Sequence, residues 1–412
     1  MKNLKPILTS VACLSVLLIT HSASAVNFEA LRAFMESNVN DGRVVGCAAQ
    51  VTKDGETVFL EAFGNLDPAA TRELRTDDIV RIYSMTKAIT SAAAMKLMED
   101  GKLGIDDPVA MYIPEFADIT VAHWPDGVKH TAGTMQRVAP RRPITVRDLI
   151  LHTSGLAYIF SAEKALKPKY SKPWEGQTTL EGAIANLANV PLAIQPGTRF
   201  IYGLNSDVLG RVVEVASGQP FDEYLSVKFF KPLKMDDTGF TPGPTERTMP
   251  LAKANAKGDG FILDKNRIEG HSNGDDNHIP LGGEGLYSTL NDYTRFCRMI
   301  AQEGELDGER ILDERTVAFM AQNHLGPDLN PGAERFGLGF KVHDPIQTSQ
   351  GMRGKDRLSW GGAASTYFFI DPAENVTAVF VTQLFPFNGP MGEEFHTAVL
   401  ESLAAVNDPS KN

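Results

Sequence analysis

Ser84-Met85-Thr86-Lys87 sets a hydroxyl and an amine three residues apart. On a helix, positions i and i+3 share one face with Cβ atoms roughly 5–6 Å apart, so the amine can reach the hydroxyl. A serine hydroxyl becomes a useful nucleophile only when a base takes its proton. A helix N-terminus also favours negative charge that develops beside it. The spacing alone does not single out Ser84, because Ser161-Ala162-Glu163-Lys164 has it too. Context separates the two. Ser84 follows an apolar run at 79–83 and opens an apolar stretch. Ser161 lies among Lys164, Lys167, Lys169 and Lys172 and is expected to be solvated surface. Taken alone, Ser84 reads equally well as a plain helix N-cap.

Other chemistry is less well supported. Gly270-His271-Ser272-Asn273-Gly274 matches G-x-S-x-G, but that nucleophile turn needs a buried strand before it and a helix after it. Here both flanks are polar, through Asp264-Lys265-Asn266-Arg267 and Asp275-Asp276-Asn277. His271, Asp275, Asp276 and His278 share this stretch, yet the chain has no H-E-x-x-H spacing. The reading calls for no metal and no cofactor.

The elements around Ser84 set its surroundings. An amphipathic helix is expected over 27–39, with Phe28, Leu31, Phe34, Met35 and Val39 on one side. Strands are expected over 44–52 and 57–63, joined by the hairpin signal Asp54-Gly55. A helix follows over 84–99 and stops at Gly101. Helices are expected over 146–151, 180–187, 207–216, 221–230 and 290–302, separated by loops rich in Gly, Pro and Asp. Strands return over 337–342, 365–371 and 376–383, and a last helix covers 391–405. Strands thus bracket a helical centre. The pattern predicts an α+β fold: an antiparallel sheet built from both chain ends, flanked by the terminal helices, with a mainly helical insertion.

Residues 1–25 read as a leader. Lys2 and Lys5 precede an apolar stretch over 7–19, and Ala23-Ser24-Ala25 supplies a small-residue cleavage pattern. Cleavage after Ala25 and a periplasmic or secreted location are expected. Residues 26–412 then form one catalytic domain, with a sheet part near 27–83 and 335–408 and a helical part near 84–334. The formal charge is −11, and loss of Lys2 and Lys5 makes it −13. Such a surface repels nucleic acid and anionic membranes. Cys47 and Cys297 fall in a strand and a helix far apart in sequence, and both are expected to be free and buried.

Several ordered blocks resemble the serine β-lactamase and penicillin-binding superfamily, most closely the class C β-lactamase-like esterases (family VIII carboxylesterases). Gly46-Cys47-Ala48-Ala49 with Lys53-Asp54-Gly55 is similar to the family's opening hairpin. Asp106-Asp107-Pro108-Val109 and Ile113-Pro114-Glu115-Phe116 resemble the segment after its catalytic helix. The most distinctive match is 144–156, ending His152-Thr153-Ser154-Gly155-Leu156, where His152 is expected to be structural. Pro196-Gly197-Thr198 ahead of Tyr202, and Gly282-Gly283-Glu284-Gly285-Leu286-Tyr287, complete the series.

The resemblance implies a serine hydrolase with Ser84 as nucleophile, Lys87 and Tyr202 as its proton-handling partners, and an acyl-enzyme intermediate. It implies an oxyanion hole from the backbone N–H groups of Ser84 and Ala363. Tyr83, Tyr112, Tyr158 and Tyr287 lack the Pro-Gly context of Tyr202, although Tyr287 is expected to line the pocket. Two departures bear on substrate. The Y-x-N of class C β-lactamases is here Tyr202-Gly203-Leu204, with Asn205 one place late. Their K-T-G strand triad is here Trp360-Gly361-Gly362. A neutral indole removes a cation that attracts a substrate carboxylate and adds apolar contact. The expected partner is a small-molecule ester. The alternatives are an amide or peptide substrate of β-lactamase or D-amino-acid peptidase type, and a slowly acylating penicillin-binding or sensing protein.

Overall fold

The computed structural model describes residues 28–264, 279–329, 335–343, 346–348, 351–353 and 357–404. The leader, and the stretch that holds Ser272, His271, Asp275, Asp276 and His278, lie outside them.

Helix α1 (Glu29–Asn40) leads into β1 (Gly46–Lys53) and β2 (Glu56–Gly64). Asp54 and Gly55 turn the hairpin with φ of 52° and 85°, which a short polar residue and a glycine tolerate. Short strand β3 (Val80–Arg81) and a single 3₁₀ turn, Tyr83–Met85, introduce α2 (Thr86–Glu99). The helical region contains α3 (Val146–Ile150), α4 (Leu180–Ala188), α5 (Asn205–Ser217) and α6 (Phe221–Leu225). The chain then forms β4 (Tyr287–Ser288), α7 (Leu290–Ala301), β5 (Arg335–Phe336) and β6 (Lys341–His343). It closes with β7 (Arg357–Gly361), β8 (Tyr367–Asp371), β9 (Val376–Val381) and α8 (Gly389–Ala404).

Seven strands form one sheet in the order β5-β6-β7-β8-β9-β1-β2, each pair antiparallel. Both faces are covered, so β8 and β9 are apolar on both sides. On one face Tyr367, Phe369, Ala378 and Phe380 meet Leu31 and Met35 of α1 and Phe395 and Val399 of α8. On the other, Phe368, Ile370 and Val379 meet Tyr293 and Phe296 of α7, in the core that also takes in α2. The α+β fold read from the sequence is the one observed.

Three expectations change in detail. Of the strand expected over 337–342, only 341–342 are strand, as part of β6; 337–340 turn between β5 and β6, and Gly339 has a φ of 101°. A Cβ there would lie 2.7 Å from Ser91 Cβ, so the chain bends where it meets α2. The helix expected over 221–230 is α6 followed by a π turn, Ser226–Phe230. The helix expected from Ser84 begins instead with the 3₁₀ turn. Cys47 and Cys297 are free and buried, as expected, and burial pushes the Cys47 thiol up to about 12. No helix among the described residues is long and apolar enough to cross a membrane.

Gly339→Ala should lower the unfolding free energy by about 1–3 kcal/mol, from the left-handed backbone and the collision with Ser91 together. Urea denaturation checks this. A variant as stable as wild type would mean that the turn does not press on α2.

Candidate active site

Ser84 sits on a turn braced from several directions. β3 pairs with β4 through Val80–Ser288 and Arg81–Tyr287. Leu286 O accepts from Ile82 N at 3.0 Å, and Thr86 Oγ1 accepts from Leu286 N at 3.2 Å. Tyr293 of α7 donates to Met85 O at 2.9 Å. Between these fixings Tyr83 has a φ of 46°, a left-handed backbone that costs a non-glycine residue about 1–3 kcal/mol. Ser84 follows directly, inside the 3₁₀ turn. No side chain caps α2, so Ser84 is not its N-cap.

Lys87 is 2% exposed, and three acceptors surround its Nζ. They are Ser84 Oγ at 3.2 Å, Tyr158 Oη at 3.0 Å and Gly283 O at 2.6 Å. An ammonium has three N–H bonds, so this set satisfies it completely. The Tyr202 ring centroid lies 4.8 Å from Nζ. Tyr202 therefore offers Lys87 its ring, and the tyrosine hydroxyl that reaches Lys87 belongs to Tyr158.

Sequence reasoning set Tyr158 aside for want of a Pro-Gly segment. The available signal was its place two residues after Leu156, at the end of the most distinctive block. That block is the bracket for both tyrosines. Thr145 and Asp148 cap α3 reciprocally, and Arg142 pairs with Asp148 at 2.5 Å. Burial alone would raise the Asp148 carboxyl, but Arg142, Thr145 and Thr153 outweigh it and hold it below the usual range. Asn205 is buried, accepts from Ser154 Oγ at 2.5 Å, and meets His152 Nδ1 at 3.0 Å and Leu156 O at 3.2 Å. It ties the start of α5 to the block, and His152 is buried within that contact. A Cβ on Gly203 would lie 2.1 Å from Leu156 O, so only glycine lets the Tyr202 segment pass here.

Ser161 corrects another expectation. Its Oγ accepts from Tyr158 N at 3.0 Å and donates to Tyr202 O at 2.6 Å. It is a half-buried clamp between the two tyrosine segments, not solvated surface.

The glycine-rich turn closes the site from the other side. Gly282 O accepts from Thr90 Oγ1 at 2.7 Å, and Gly283 N donates to Asp207 Oδ1 of α5 at 2.9 Å. Burial raises the Asp207 carboxyl to about 7, with Glu284 adding to the rise and Lys87 and the Gly283 N–H opposing it. Enclosure away from water pushes the Tyr158 hydroxyl well above its ordinary value, and Asp207, Tyr202 and Glu284 push the same way. No sequence motif pointed to Asp207.

The end of β7 meets the Ser84 turn. A Cβ on Gly362 would lie 2.4 Å from Ile82 O and 2.2 Å from Thr366 Oγ1, so glycine permits the approach. Gly361 pairs with Tyr367, and Ala363 packs beside Tyr83, Leu251 and Ala364. The Trp360 ring lies 5.6 Å from Tyr202 and 5.2 Å from Phe336. Tyr158 stands 5.4 Å from Tyr202 and stacks 5.2 Å from Phe160, which is 71% exposed. A continuous aromatic wall results: Phe160, Tyr158, Tyr202, Trp360, Phe336.

Ser84, Lys87, Tyr202 and Trp360 are thus brought together. Leu204 is 5% exposed and belongs to the core, with little surface to offer a substrate. Tyr287 pairs with Arg81 and bridges to Gly239, and the Arg81 guanidinium lies 6.0 Å from its ring. Among the described residues, no cluster of three or more His, Cys, Asp or Glu could hold a metal ion.

A serine on a braced turn, a buried lysine one helical turn on, and a flanking antiparallel sheet define an active-site-serine fold of the β-lactamase and transpeptidase type. The chain belongs to the Beta-lactamase family, whose family model matches residues 29–401. Protein Rv1367c of Mycobacterium tuberculosis is 30% identical over 379 residues, covering 88% of this chain and 91% of that one. Lovastatin esterase of Penicillium rubens is 28% identical, covering 86% and 93%. The D-alanyl-D-alanine-carboxypeptidase/endopeptidase AmpH of Escherichia coli is 25% identical, covering 92% and 91%. Among solved structures, EstCE1, described as a hydrolase with promiscuous acyltransferase activity, superposes with a TM-score of 0.73 at 25% identity, covering 90% and 97%.

The raised Asp207 carboxyl makes stability depend on pH. Its value is raised in the fold, so its contribution to stability is fully present below the unfolded value of about 3.9. That contribution is lost progressively as pH rises through about 7. Asp207→Asn removes the titration. Its Tm relative to wild type should climb from about pH 4 to about pH 7 and then level off. A constant difference across that range would show that Asp207 is not held protonated by burial.

Proposed function

We propose that this chain is an exported serine carboxylesterase that cleaves small uncharged esters through an acyl-enzyme on Ser84. The observation that carries the reading is the aromatic wall beside the Ser84–Lys87 pair. Where a β-lactamase triad presents lysine, Trp360 presents a neutral ring packed on Tyr202 and Phe336. Such a wall takes up the apolar part of an acyl or alcohol group and offers no cation to a substrate carboxylate.

The ester carbonyl enters between Ser84 and the end of β7. Once the Lys87–Tyr158 pair has given up one proton to solvent, Ser84 Oγ attacks the ester carbon while its own proton moves into the vacancy left on that pair, with Tyr202 packed against both. The oxyanion is held by the backbone N–H groups of Ser84 and Ala363. The close approach of Gly362 to Ile82 supports that placement. The proton passes to the departing alcohol as the C–O bond breaks, leaving an ester on Ser84. Water then adds to that ester, giving its proton back through the same pair, and the acid leaves with Ser84 restored. Leu204 and Tyr287 act at most through the frame of the pocket. The leader over 1–25 carries the export part of the reading.

Ser84→Ala should abolish hydrolysis of nitrophenyl esters. Lys87→Ala and Tyr158→Phe should each lower kcat about 10²–10⁴-fold, the range of positioned acid–base groups. Tyr202→Phe keeps the ring that faces Nζ and should cost less than Tyr158→Phe. The opposite order would return the proton-transfer role to Tyr202. An active Ser84→Ala would end the proposal.

Trp360→Lys tests substrate class. It restores a cation and removes apolar contact, so the ratio of kcat/KM for a chromogenic cephalosporin to that for a nitrophenyl ester should rise. One charge-assisted hydrogen bond contributes about 1.5–3 kcal/mol, which bounds the gain. An unchanged ratio in the folded variant would remove Trp360 from the substrate site. Wild-type turnover of D-alanyl amides or cephalosporins above esters would favour the peptidase or β-lactamase reading.

A further inference from the structure

Asp207 is a buried carboxylate joined to the Lys87 cluster through a single residue, Gly283. Its Oδ1 accepts the Gly283 N–H at 2.9 Å, and the Gly283 carbonyl accepts from Lys87 Nζ at 2.6 Å. Its Oδ2 is buried and has no hydrogen-bond partner among the described residues. A Cβ on Gly283 would stand 2.8 Å from both Asp207 oxygens and 3.0 Å from Tyr158 Oη. The carboxylate and the phenol therefore face the same bare Cα from two sides. A carboxyl buried with one oxygen unpartnered is retained with its proton on, and ionising it is costly unless a cation stands close by.

The groups that act on Asp207 come from every side. Lys87 of α2 attracts its charge, and Glu284 of the glycine-rich turn repels it. Tyr158, from the segment after α3, feels Asp207, Glu284 and Tyr202 together. Arg81 of β3 stands off Glu284 and the Tyr83 and Tyr287 rings, and His152 feels Lys87. Lys87 is the cation that answers Asp207 directly.

We propose that Asp207 is a positioning residue that sets the protonation of the Ser84–Lys87–Tyr158 site. It holds the Gly283 carbonyl on Lys87, and once ionised its charge makes the site release a proton less readily. The idea rests on the esterase reading for its kinetic test, and it has a second test that does not.

Asp207→Asn keeps an acceptor for the Gly283 N–H and removes only the charge. The acid limb of kcat/KM for a nitrophenyl ester should then move about one pH unit lower, with KM little changed. Ser84 labelling by a fluorophosphonate, followed by mass spectrometry, should move in the same direction. A purely packing role would lower kcat and leave the limb in place, and a fixed limb in folded Asp207→Asn overturns the proposal. Asp207→Ser carries the same test should the asparagine variant not fold.

The second test uses stability alone. Lys87→Met leaves Asp207 without its cation and should lower Tm at pH 9 more than at pH 5. Adding Asp207→Asn to Lys87→Met should recover Tm at pH 9. No recovery overturns the charge coupling whether or not the protein is an esterase. Turnover by Ser84→Ala would sink the esterase reading while leaving this cycle intact.

Discussion

The site depends on satisfying one buried amine. Lys87 Nζ is cut off from water, so each of its hydrogen bonds must come from protein. The acceptors come from three separate segments: the turn before α2, the loop after α3, and the glycine-rich turn before β4. Placing Lys87 correctly therefore means placing all three at once. The rest of the helical region acts as scaffolding for that meeting point. Thr145 and Asp148 hold α3, Asn205 holds the loop to α5, and Ser161 holds Tyr158 to Tyr202.

Close backbone approach is the second constraint. Gly203, Gly283 and Gly362 each stand where a methyl group would strike backbone or the side chains of Asp207, Tyr158 and Thr366. Each joins a different segment to the site. These glycines let the segments converge within hydrogen-bonding distance of a single nitrogen. The strained backbone at Tyr83 belongs to the same economy of space, because it presents Ser84 while Ile82 stays locked to Leu286.

Much of this was legible in the sequence where the signal is local. Asp54-Gly55 marks its hairpin through backbone preference alone, and the Ser84–Lys87 pair follows from helical spacing. The sheet from both chain ends follows from strand material on either side of a helical centre. What the sequence hid depends on tertiary meeting. Tyr158 is remote from Lys87 in the chain, and only the fold brings its hydroxyl to 3.0 Å. Asp207 looks like an ordinary first-turn acid of an amphipathic helix until Gly283 is packed on it. Ser161 sits among lysines that do reach solvent, so composition pointed outward while its own hydroxyl turned inward. The bend at Gly339 answers to Ser91, a residue that a local window never contains.

The strand order also governs when this protein can be finished. β1 hydrogen-bonds β9 through the register Ala48–Val381, one strand in from the β2 edge of the sheet. On a ribosome β1 appears early and pairs with β2, but its other edge has no neighbour until the last part of the chain is made. Until then that edge is an open template of unpaired peptide groups. Closing a loop of this length carries a large entropic cost before any contact returns it, so this seam belongs to the slow, late part of folding. Ser84 and β7 lie far apart in sequence, and Ser84 therefore gains its full setting only when the chain ends have met.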